Sequence, residues 1–88
     1  MVYTDTITDD LHIRTFSKDI DPIELKWHRD SETRIIKAVH ETDWKIQLEN
    51  RLPISMNDPV IIKLGVWHRL IMGTGDLELQ IVKIYNED

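Results

Sequence analysis

The chain has 88 residues, 41% apolar and 31% charged, a balance that argues against wholesale disorder and fits one domain over residues 1–88, near the small end of what a single core supports. Its net charge is -5 and its eleven Lys and Arg residues are scattered without a basic run, which argues against nucleic acid as the main partner, because that affinity rests on clustered cations facing phosphates. Cysteine is absent, which removes disulfides, thiolate zinc sites and thiol nucleophiles and points to the cytoplasm; no stretch reaches the ~20 apolar residues of a membrane span and the N-terminus lacks a signal-peptide layout, so a soluble, unprocessed protein is expected.

In chain order, residues 2–8 are rich in β-branched and aromatic types, Asp9 and Asp10 interrupt them, and Leu11 to Phe16 resumes with a half-buried alternation. Two short strands are expected there. Ser17 to Pro22 forms a turn cluster, and Ile23, Leu25 and Trp27 then alternate with Glu24, Lys26 and His28 as in a period-two strand. Arg34 to Val39 reads as a strand, with a helix capped by Ser31 as the competitor. The strand is preferred because Trp44, Ile46 and Leu48 alternate just beyond it, as the second arm of a hairpin would. Asn50 to Asp58 is a loop. Pro59 to Leu64, Trp67 to Met72 and Leu77 to Tyr85 are the remaining strands, the last two joined by a hairpin turn at Gly73 to Asp76. In the last strand the apolar face switches after Ile81, which predicts a bulge or two-sided burial at Val82 and Ile84. The acidic tail, Asn86 to Asp88, is a solvated end. Eight short strands at about ten-residue spacing predict an all-β fold, a barrel or two-sheet sandwich of antiparallel strands.

Asn57 to His68 resembles the second motif of the cupin superfamily, which runs glycine, five residues, proline, one residue, glycine, two residues, histidine. Gly65 and His68 match in identity and spacing, whereas Asn57 stands for the first glycine and Lys63 for the proline. The first cupin motif, built on two histidines and a glutamate, is similar to His28 through Arg34, where Asp30 replaces the second histidine, Arg34 sits where the glutamate would be, and Glu41 falls on the glycine position. The resemblance covers residues 27–84 and implies an RmlC-like jelly-roll barrel, often a homodimer, with the motif residues pointing into a central pocket. It looks like the short, single-motif-pair cupins of phages and bacteria that carry no assigned activity.

On that resemblance, His28, Asp30, Arg34 and His68 converge. Two histidines and one carboxylate are the ligands of a facial triad for non-haem iron, and zinc, nickel or manganese suit the same donors. Arg34 argues the other way, since a guanidinium repels a divalent ion, and its charge suits a small polar or anionic ligand bound with Asp30 and Gln47, or an internal ion pair with Asp30 that only fills the barrel. The alternation adds a condition: if Ile23, Leu25 and Trp27 form the core face, His28 and Asp30 point to solvent, so the site requires that apolar face to be covered, as a dimer would do. Trp44 is a core residue, Trp67 points outward if His68 points inward, and His12 and His40 belong to the surface. No nucleophile elbow and no phosphate-cradling glycine loop is present, which disfavours serine hydrolase and nucleotide chemistry. Three functions follow: a barrel binding a small polar or anionic ligand, a metal-dependent oxygenase, isomerase or lyase, and a non-catalytic interaction module.

Overall fold

Alternating buried and exposed side chains organise eight short strands in the computed structural model, which describes residues 3–85. They are β1 (Thr4–Ile7), β2 (His12–Phe16), β3 (Thr33–Ala38), β4 (Lys45–Leu48), β5 (Ile54–Ser55), β6 (Val60–Ile62), β7 (His68–Ile71) and β8 (Leu77–Ile84). All pairings are antiparallel. One sheet has five strands in the order β1, β2, β8, β3, β6, and the other has three, β5, β4, β7. Facing side chains from both sheets form the core, with Phe16, Ile36, Ile62, Leu79 and Ile81 from the first and Ile46 from the second. The all-β jelly-roll barrel expected from the sequence is therefore the observed architecture. No helix among the described residues is long and apolar enough to cross a membrane.

The competition at residues 34–39 resolves as a strand, because β3 lies at the interior of its sheet between β8 and β6 and every second residue, Arg34, Ile36 and Ala38, faces the barrel interior or its edge. Its register against β8 is unbroken from Thr33 opposite Ile84 to Ala38 opposite Leu79. No bulge is present in this pairing, and the apolar switch in β8 is not two-sided burial either: Leu77, Leu79 and Ile81 are buried inward, while Val82 lies on the outer face across from Ile35 and is 47% exposed.

Three connections differ from expectation. β3 and β4 are not a hairpin, since β4 pairs with β5 and β7 in the other sheet. Nor are β7 and β8, although Gly73 to Asp76 does link them: the link crosses between sheets. Asp43 accepts from the Thr74 amide at 2.8 Å and from its hydroxyl at 2.9 Å, and a Cβ on Gly73 would lie 2.6 Å from the Trp44 backbone nitrogen, so the glycine serves a close crossing rather than a hairpin. The crossing also holds Trp44, fully buried, through its indole donating to the Gly75 carbonyl at 3.0 Å. Within the loop at residues 50–58, Ile54–Ser55 adds the short edge strand β5.

The third difference bears on the site. Residues 23–27 are not a strand. Pro22–Glu24 is a 3-10 helix capped by Asp21, whose carboxylate accepts from the Ile23 amide at 3.1 Å. Leu25 follows at φ -86 and ψ 78, with the Lys26 amide donating to the Glu24 carbonyl at 3.1 Å, an inverse γ-turn. This tight turn resets the alternation, so Ile23 is 73% exposed while Leu25 packs on the core. The start of the first expected strand at Val2 and the tail Asn86 to Asp88 lie outside the described residues.

Candidate metal centre

Beyond the γ-turn the chain touches the three-stranded sheet at one point. His28 and His68 form an isolated antiparallel bridge, each amide donating to the other's carbonyl, at 3.0 and 2.8 Å. Directly opposed residues in an antiparallel pair project to the same side. Both imidazoles therefore emerge together, with ring centroids 4.2 Å apart. Their neighbours emerge on the other side, where Arg69 stands over the Trp27 ring at 4.9 Å and Arg29 over the Trp67 ring at 5.2 Å. Trp67 is thus outward, as expected, and 42% exposed.

Asp30 lies two residues beyond His28 on the same side. Its carbonyl accepts from the Gly65 amide at 2.9 Å, at the tip of the turn between β6 and β7, where Val66 bonds back to the Lys63 carbonyl at 3.1 Å. Gly65 has φ +78, a conformation that glycine adopts at low cost, so the residue matched by the second cupin motif positions a residue of the first.

His28, Asp30 and His68 each offer a donor atom, and those atoms lie within 4.8 Å of one another. The imidazole Nδ1 atoms point away from the cluster, at 3.0 Å from the Lys26 carbonyl for His28 and 2.8 Å from the Val66 carbonyl for His68. A carbonyl only accepts, so Nδ1 carries the proton in each, and the neutral ring keeps its lone pair on Nε2. Burial pushes the His68 pKa down, and His28 and Arg34 add to this, outweighing the opposite pull of the Val66 carbonyl and Asp30. His68 Nε2 stands 3.2 Å from Asp30 Oδ2, and that oxygen is buried without a hydrogen bond. Two acceptors thus face each other.

Arg34 is 14% exposed at its side chain, and it does not settle this conflict. Its Nε is 3.4 Å from Asp30 Oδ2, but the same Nε donates to Glu32 Oε1 at 2.9 Å and Nη2 lies 2.9 Å from that oxygen. Glu32, 10% exposed at its side chain, also accepts from the Ser31 hydroxyl at 3.1 Å, with Lys83 Nζ at 4.0 Å. Burial raises the Glu32 pKa, but the bonds from Arg34 and Ser31 outweigh it and hold the carboxyl below its usual range. Glu32 is the residue that sequence reasoning missed. Its signal was positional, since residues 30, 32 and 34 share one side of an extended chain.

The cluster edges a cavity of about 300 Å³ inside the barrel, whose lining includes Arg14, Glu24, Leu25, Lys26 and Arg34 along with core side chains of both sheets. Gln47 is not brought to it. That side chain lies across the other face of β4, accepting from Arg69 Nε at 3.0 Å and donating to the Arg51 carbonyl at 3.1 Å, so it supports the outer Trp27 and Arg69 pair. His40 is a surface residue as expected. His12 is not the surface residue expected: its side chain is only 12% exposed, and its Nε2, 3.1 Å from Asp5 Oδ1, is buried without a hydrogen bond.

The fold is similar to that of several solved structures. Protein NMB1881 from Neisseria meningitidis aligns at 14% identity with a TM-score of 0.61, over 93% of this chain and 81% of that one. HppE in its FeII form aligns at 12% identity with a TM-score of 0.65, over 93% of this chain and 48% of the other. The DMSP lyases RdDddP and RnDddQII include a match at 14% identity with a TM-score of 0.60, over 84% of this chain and 38% of the other, so the chain spans less than half the length of these last two. No protein-family model and no curated protein matches the sequence. The neighbours are consistent with a cupin-like fold, which is as far as likeness at this identity reaches.

Proposed function

We propose that this barrel holds a divalent metal ion, iron, zinc, nickel or manganese, on His28, Asp30 and His68 and presents it to a small molecule in the cavity. One observation carries the reading: Asp30 Oδ2, buried without a donor, faces the lone pair of a neutral imidazole. A cation between them turns that repulsion into ligation. The Nδ1 bonds to backbone carbonyls supply the outer support that fixes ligating histidines elsewhere in metalloproteins. Three protein ligands leave positions for an oxygen donor of the ligand, which the metal would polarise as a Lewis acid. Arg34 does not forbid this, because Glu32 takes up its charge. FeII in HppE, a protein of similar fold, supports the reading by analogy.

Elemental analysis of protein purified without chelators tests the proposal. We expect about one metal ion per chain in the wild type and below about a tenth in a folded His68→Ala variant, as for a site whose ligands bind only together. A wild type below a tenth would overturn it and favour a salt-bridged interior, the reading that the Arg34 and Glu32 pair supports. A homodimer remains the proposed assembly, resting on the exposed Ile23 and Trp27; light scattering that returns a monomer mass for the wild type would remove it.

A further inference from the structure

We infer that the ligand of the cavity is a short aliphatic monocarboxylate, its hydrocarbon part inside the barrel and its carboxylate at the rim beside Lys26. The inference deepens the metal reading and rests on it for the second contact of the head group. About 300 Å³ has room for roughly ten groups of water size, at about 30 Å³ each. The depth of that space is walled by Ile36, Ile62 and Ile81 from one sheet and Ile46 and Leu70 from the other, so a polar body there would lose its hydration for no partner.

Charge at the lining narrows the head group. Three cations line the cavity, Arg14, Lys26 and Arg34. Arg14 is committed to Asp5 through two bonds, at 2.8 and 3.1 Å, and Arg34 to Glu32 at 2.9 Å. Lys26 makes no ion pair among the described residues, and with Glu24 and His28 it is one of the exposed residues of the lining, which mark the opening. The anionic ligand that the sequence suggested for Arg34 therefore belongs to Lys26. One negative charge fits and two do not, because Glu24 and Asp30 line the same space and oppose a dianion. The Lys26 carbonyl is also the group that orients His28, so a head group at Lys26 lies next to the candidate metal ligands.

Calorimetric titration with hexanoate, hexanol, adipate and hexyl phosphate tests this, using the protein as purified, metal-stripped protein and Lys26→Gln. Hexanoate is expected to bind about tenfold or more tighter than the other three, the size of one charge-assisted contact, and Lys26→Gln to bring hexanoate and hexanol level in the metal-stripped protein, where the second contact of the head group is absent. Lys26 is exposed, so this variant should fold; unchanged circular dichroism would verify it. Adipate or hexyl phosphate binding as tightly as hexanoate would overturn the inference, as would a preference for hexanoate that survives in metal-stripped Lys26→Gln. No hexanoate binding by metal-loaded wild type up to about 10 mM, far weaker than a built site gives, would overturn it and leave the metal reading standing. Conversely, protein that carries no metal but prefers hexanoate in a Lys26-dependent way would uphold the ligand class and remove only the metal.

Discussion

Asp5, His12 and Arg14 on the β1 and β2 hairpin, and Asp30, His68 and Arg34 beside the cavity, are the same three residue types in two arrangements. In the first, Arg14 grips both oxygens of Asp5, and His12 Nε2 stands 3.1 Å from that carboxylate. In the second, Arg34 is diverted to Glu32, and Asp30 keeps a buried oxygen with no donor, turned to the imidazoles. A bidentate arginine completes a carboxylate; a diverted one leaves it available. The second cluster adds His28 and Glu32, and the contrast lies in the carboxylates: Asp5 is held on both oxygens, whereas Asp30 has one left over.

The largest expected effects come from the carboxylates themselves. Asp30→Asn should lower metal affinity by about a hundredfold or more, read by competition with a chelating dye, because it removes a ligand rather than its support. The same substitution should leave the melting temperature of metal-stripped protein unchanged or higher, since it turns an acceptor without a donor into a group that can donate to His68 Nε2. Asp5→Asn should do the reverse, with metal affinity unchanged and stability lowered. If both variants destabilise the metal-free protein equally, the two clusters are equivalent and the comparison fails.

Glu32→Gln converts the second arrangement toward the first. Freed from Glu32, Arg34 can close on Asp30, so metal affinity should fall by about 10- to 100-fold, as with other outer-shell changes. An unchanged affinity would mean that Glu32 does not restrain Arg34. Trp27→Ala probes the outer side of the His28 and His68 bridge, where two Arg and Trp pairs are the contacts that flank a single point of pairing. Losing one such pair removes about 0.5–1 kcal/mol, so metal affinity should drop by roughly two- to fivefold while the ligand set, read from the spectrum of the cobalt-substituted protein, is unchanged.

How much of this was legible in the sequence follows from the range of each interaction. The strands were legible, because alternation is local, and so was the pairing of Gly65 with His68, because a positive-φ turn and a following histidine are three residues apart. The partners of the strands were not. Links such as Gly73 to Asp76 look like hairpin turns whether they fold back or cross to the facing sheet, and what decides is the remote contact with Asp43 and Trp44. The direction of His28 and Asp30 was left conditional for a different reason. The alternation of Ile23, Leu25 and Trp27 was read as one strand, and the 3-10 helix and the γ-turn at Leu25 break it, so the apolar residues before the turn say nothing of which way the residues after it point. The dimer that was required to cover that face is consequently no condition of the site.

The smallest effect is a matter of pH and belongs to the first cluster. The hydrogen bond from Arg14 holds the Asp5 carboxyl down at about 2, against an ordinary value of 3.8, with His12 assisting and burial opposing. A carboxyl whose folded pKa lies below its unfolded one stabilises the fold fully above the unfolded value and ceases to do so as pH falls through the folded one. The contribution of Asp5 is therefore complete above pH 3.8 and is lost progressively down to about 2. It should be modest, because the Asp5 side chain is 26% exposed and solvent screens the pair. The measurement is the difference in melting temperature between wild type and Asp5→Asn on metal-stripped protein. It should be constant from about pH 7 to 5, where the unfolded carboxyl is ionised, and shrink toward pH 2. A difference that instead widens on acidification would mean that Asp5 is not held by Arg14 in the folded state, and Asp5 would no longer serve as the satisfied counterpart of Asp30.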